Sequence, residues 1–150
     1  MRQPQRSAPL PPHSIENERA VLGCILLDGA VGGRIWPAIL QSLTPDSFYR
    51  EQHSIIYAAM LALNDRDIPC DLLLIVEELE RRGQLEKAGN ADYLTQLALA
   101  PQSHFNGSYY AEIVARKAEA RRMLNEAGRM VRDALSGGKN PPKMVKGVLR

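Results

Sequence analysis

SYYAEIVARKAEARRMLNEAGRMVRDALS, residues 108–136, is the stretch that decides the fold. It contains no proline and a single glycine, Gly128. Ile113, Ala120, Ala127 and Ala134 recur at heptad spacing, and Tyr110, Lys117, Leu124 and Val131 form a second row beside them. Two such rows predict one long helix with a seam turned toward another helix. At 1.5 Å per residue it runs to about 40 Å, more than a domain of this size covers along its whole length. A seam this rich in alanine predicts close approach of a partner helix rather than a bulky core. Gly128 fits, because glycine inside a helix costs about 1 kcal/mol relative to alanine and needs a reason to be there. Gly137-Gly138 ends the helix, and Pro141-Pro142 opens a short one carrying Met144, Val145, Val148 and Leu149. The expectation is a helical hairpin with a short second arm.

Upstream the helical signals continue. Ser14 is placed as an N-cap with Glu16 and Glu18 in the next turn, ahead of a stripe of Ile15, Leu22, Ile25 and Leu26 widened by Val21 and Cys24. That helix ends near Asp28-Gly29. Residues 30–43 read as two short helical pieces, because Pro37 removes a backbone donor. Thr44-Pro45-Asp46 reads as a cap, an N1 proline and an acidic first turn. Ile55, Ile56, Ala59, Met60 and Leu63 mark one face of a helix over 51–64. Asp71 caps the next, with Leu72, Ile75, Val76 and Leu79 as its core face and Gly83 just past its end. After Gly89-Asn90 a shorter helix points Tyr93, Leu94, Leu97 and Ala98 inward.

The fold class is all-α: a small bundle of about five or six helices with a protruding C-terminal helical hairpin. Residues 1–12, with four of the ten prolines, read as a disordered arm; 13–106 form the bundle; 107–150 form the long helix and its short hairpin partner. Aromatic residues are only 5% of the chain, so the core must be aliphatic, which favours helices over strands. A length of 150 residues allows one domain.

The net charge of +2 names no partner, but its distribution is uneven. Residues 1–108 carry a balance of −4 and residues 109–150 a balance of +6. The basic end suits an acidic protein, nucleic acid or the chain's own acidic half. Cys24 and Cys70 read as buried free thiols rather than a disulfide or metal pair. No stretch approaches the roughly 20 apolar residues of a membrane span, and the N-terminus carries no apolar signal segment. A cytoplasmic protein is expected.

No catalytic constellation, metal site or cofactor motif emerges. Gly138-Lys139-Asn140 lacks the hydroxyl of a phosphate-binding loop, and Asp133 stands where its first glycine belongs. His13, His53 and His104 have no second ligand at helical spacing. Glu77, Glu78 and Glu80 read as a solvated helix face. The cluster Arg116, Lys117, Arg121, Arg122, Arg129 and Arg132 is the one unusual feature. With Glu112, Glu119 and Glu126 interleaved it can be an ion-paired surface. Otherwise it docks a protein, or serves a small basic nucleic-acid-binding protein together with the tail Lys139, Lys143, Lys146 and Arg150.

A resemblance then narrows the choice. Pro12-His13-Ser14-Ile15-Glu16-Asn17-Glu18, Val21-Leu22-Gly23 and Leu26-Leu27-Asp28 resemble the opening of the N-terminal domain of DnaB-type replicative helicases. Phe48-Tyr49 with His53, Ile56 and Tyr57, then Ile68-Pro69-Cys70-Asp71, Gly83-Gln84-Leu85 and Tyr93-Leu94 continue it in order. Tyr110-Ala111-Glu112-Ile113-Val114, Lys117-Ala118 and Arg121-Arg122 complete it, over about residues 12–135. Leu73, Leu74 and Asn90 depart from the pattern, and 141–150 is shorter than the family's second hairpin helix.

The resemblance implies a non-catalytic domain that oligomerises through its hairpin into a collar and receives the primase C-terminal domain or another replication protein. DNA is then met only indirectly, through a separate ATP-driven motor domain. It implies no cofactor. The contact residues expected on this chain are Arg121, Arg122, Leu124, Met130 and Val131.

Overall fold

Ser14 starts the first helix as expected, its Oγ accepting from the Asn17 amide at 3.3 Å. In the computed structural model, which describes residues 9–137, this helix (α1, Ile15–Ala30) is the centre of the fold. Val21, Leu22 and Cys24 are fully enclosed and Ile25 and Leu26 nearly so. A helix apolar on most of its circumference is stable only when surrounded. Here the helices Glu51–Asp65 and Asn90–Ala98 and the long C-terminal helix pack around it, and the helix Leu72–Arg81 touches it. Gly23 permits this: a Cβ there would collide with the Leu97 carbonyl and the Pro101 ring.

Residues 30–43 depart from expectation. They form one short helix, not two (α2, Pro37–Ser42), and Pro37 opens it at N1. A missing N–H costs nothing at that position, so the proline begins the helix rather than interrupting it. Pro45–Ser47 makes a single 3-10 turn, with the Ser47 hydroxyl accepting from the Thr44 amide at 3.0 Å.

The helix α3 (Glu51–Asp65) buries Ile56, Tyr57, Ala59, Met60 and Leu63, and Ile55 packs at the core's edge. α4 (Leu72–Arg81) begins at Asp71, whose carboxylate accepts from the Leu74 amide at 2.8 Å, and Gly83 follows its end at φ +68°. α5 (Asn90–Ala98) seals Leu94 and Leu97 against α1. Among the described residues the protein is all-helical, with six α-helices and two 3-10 turns.

The sixth helix, α6 (Gly107–Leu135), has 29 residues and so a length of about 43 Å. The bundle takes only its first three turns. Gly107, Ala111, Val114 and Ala118 are its buried positions, packed on α1 and α2, and Gly107 lies so close to the Trp36 ring that no Cβ fits. Small residues at this i, i+4, i+7, i+11 spacing draw the helix tight against the bundle. They are not the heptad rows read from the sequence, which lie on a neighbouring face. Past Ala118 no residue of α6 is buried. Residues 1–8 of the expected arm lie outside the described residues, as do the expected second hairpin helix over 141–150 and the basic tail.

Both cysteines are free and buried, and burial pushes each thiol up to about 12. Among the described residues no helix is long and apolar enough to cross a membrane.

Candidate protein-docking site

Beyond Ala118 the helix α6 carries a seam on which no described residue is buried. Leu124 and Val131 are each 58% exposed, and Leu135 is 83% exposed. Leu124 and Val131 continue the line of Ile113, Lys117, Ala120 and Ala127 at alternating spacings of four and three, the geometry of a helix-pairing face, and Leu135 lies one turn past Val131. Gly128 lies beside that line. A Cβ there would meet only the flexible tip of Arg132 at 3.4 Å, so nothing among the described residues requires glycine at that position. Close approach of another helix would.

Charged groups border the seam. Arg122 pairs with Glu119 and Arg129 with Glu126, each across one turn. All four side chains are substantially exposed, so such pairs contribute only about 0–1 kcal/mol each. Their effect is to leave the distal helix close to neutral on that side, which suits a protein surface better than a phosphate backbone.

The expected contact residues take different places. Leu124 and Val131 stand on the exposed seam, Met130 is half-buried beside it, and Arg122 is exposed on the flank. Arg121 has an internal task that the sequence did not reveal. Its guanidinium donates to the Pro12 carbonyl at 2.8 Å and to the Ser47 carbonyl at 2.7 Å, and its Cζ lies 5.6 Å from the Tyr49 ring centre. His13 stacks on the same ring, with centroids 4.2 Å apart. Arg121 therefore fastens the N-terminal segment and the turn before α3 to the long helix.

Buried ionisable groups elsewhere are held by structure. Glu18, 1% exposed, accepts from the Tyr49 amide at 2.9 Å and the Arg50 amide at 3.4 Å, so a carboxylate from α1 satisfies donors at the entry to α3. Its Oε1 is also 2.9 Å from His53 Nδ1, and His53 Nε2 meets the Tyr93 hydroxyl at 2.5 Å. No spacing rule joins these residues; only the crossing of α1, α3 and α5 does. Glu78 corrects the expectation of a solvated acidic face. It is buried, and Arg81 and Arg66 both reach its carboxylate at 2.6 Å. Their hydrogen bonds, Arg81 first, hold its pKa below the usual carboxylate value despite burial. Each of these two buried acids is engaged in joining elements.

The comparisons agree with this architecture. The model of the DnaB-like helicase N terminal domain matches residues 10–116. The chain is similar to the replicative DNA helicase DnaB of Geobacillus stearothermophilus, 42% identical over 124 residues. That match covers 83% of this chain but 26% of the helicase, so the chain spans about a quarter of the curated relative's length. Among solved structures it is similar to the N-terminal domain of DnaB helicase from Mycobacterium tuberculosis, with a TM-score of 0.78 and 37% identity over 85% of this chain and 89% of that one. It is also similar to a DnaB-like replicative helicase whose structure was described with its interactions with primase, with a TM-score of 0.66 and 26% identity over 82% of this chain and 28% of that one. From the family model and these relatives together, the chain belongs to the DnaB-like helicase N-terminal domain family.

Proposed function

We propose that this protein acts in DNA replication, in the cytoplasm, as a docking module of a DnaB-type replicative helicase. It self-associates along the seam of α6 and receives the C-terminal domain of primase on the distal part of the same helix. The observation that carries this reading is the exposed line of Leu124, Val131 and Leu135 on a helix that outruns the described bundle. The description of a 26%-identical relative together with primase supports the choice of partner. The contact set is Arg122, Leu124, Met130 and Val131, with Arg121 contributing by holding the helix and the arm together.

Binding to the primase C-terminal domain tests the proposal. The wild-type chain is expected to bind saturably, and Arg122→Glu to weaken the complex about tenfold. Arg122 is exposed and pairs only locally, so helical content by circular dichroism should not change. Absence of binding by the wild-type chain, or an Arg122→Glu variant that binds equally well, contradicts the proposed site. Affinity for DNA that survives at physiological salt would favour a nucleic-acid partner, because counterion release makes weak phosphate contacts fade there.

A further inference from the structure

The described end of the N-terminal arm lies on the very seam that the proposed self-association uses. Pro12 borders a cleft whose other walls are Ile113, Arg116, Lys117 and Ala120, three of them seam positions. On its other side, Pro9, Leu10 and Pro11 face Tyr49, Leu124 and Asn125 across a second cleft of about 430 Å³. The arm is fixed there by specific contacts: Arg121 donates to the Pro12 carbonyl, and His13 stacks on Tyr49. Pro9, Leu10 and Pro11 are nevertheless exposed, and Leu10 is 72% so. Residues 9–12 touch the helix through the Pro12 carbonyl and a few proline edges, and because they bury little of themselves they can be displaced without disturbing the core.

Its place matters because of seam length. From Ile113 to Ala134 the seam runs about three heptads, near the length at which helix pairing becomes persistent. With the arm docked, only the stretch past Leu124 is clear among the described residues, about one and a half heptads. We infer that residues 9–12 are an intramolecular gate: docked beside Ile113, Lys117, Ala120 and Leu124, they restrict pairing with a second copy to the distal half of α6, and their release opens the full seam. This rests on the self-association proposed above.

The test compares sedimentation of the full chain with a chain lacking residues 1–12, which keeps His13 on Tyr49 and the Ser14 cap. Thermal unfolding of both controls for folding. The expected result is self-association at least tenfold tighter without the arm. A second readout fixes the place. Ala120→Cys should react with a maleimide at the same rate at low and high protein concentration in the full chain. After arm removal, it should become protected as concentration rises. The native thiols, buried and held protonated, do not compete. Equal or weaker association without the arm overturns the gate while leaving self-association standing. Monomers at every concentration in both chains overturn the gate and self-association together.

Discussion

Among single residues, Glu78 shows best how a side chain ties elements together. It lies on α4, and its two partners come from the last turn of the same helix and, twelve positions earlier, from the residue that ends α3. Because its pKa is lowered on folding, it stabilises the native state above the unfolded value of about 4.5, and that contribution fades as pH falls through the lower folded value. Glu78→Gln is expected to cost about 1–2 kcal/mol at pH 7, a modest figure because Arg66 and Arg81 are 47% and 65% exposed. Thermal unfolding should show the difference between wild type and variant shrinking as pH falls below about 4.5. A pH-independent difference would mean that the pairing contributes nothing. Residues with local tasks were legible in advance: Ser14, Asp71 and Gly83 do what their positions predict. Glu78, Glu18 and Arg121 were not, because their partners lie on other elements and no sequence spacing records the meeting.

At the scale of elements, apolar periodicity located the helices well, since bulky residues such as Ile56, Met60 and Leu63 declare a buried face. It failed where the buried face is built from small residues. In α6 the alanines of the bundle face, Ala111 and Ala118, cannot be told by type from Ala120 and Ala127 on the seam; only the position of Trp36 over Gly107 separates them. Pro37 was misjudged for a related reason, because a proline's effect depends on whether a helix is already running when the chain reaches it. Gly128 gives this scale its prediction. Gly128→Ala should raise the helical stability of the dilute monomer by about 0.5–1 kcal/mol. It should at the same time weaken self-association, by placing a methyl where a partner helix approaches. Thermal melts at low concentration and sedimentation at high concentration separate the two effects. Stabilisation with unchanged association would remove Gly128 from the interface.

The whole molecule is a core with a lever. α1 is enclosed by its neighbours and the first three turns of α6 close the bundle, while the rest of that helix extends past the last buried residue. Its architecture is that of the DnaB-like helicase N-terminal domain family, and buried acids held by amides and arginines join it internally. The proposed function rests on the surface of the distal helix. Amide hydrogen exchange of the chain, alone and with the primase C-terminal domain, tests that claim most directly. Partner-dependent protection concentrated between Leu124 and Leu135, with α3, α4 and α5 unchanged, is the predicted result. Protection confined to the bundle, or none anywhere at saturating primase, would contradict it.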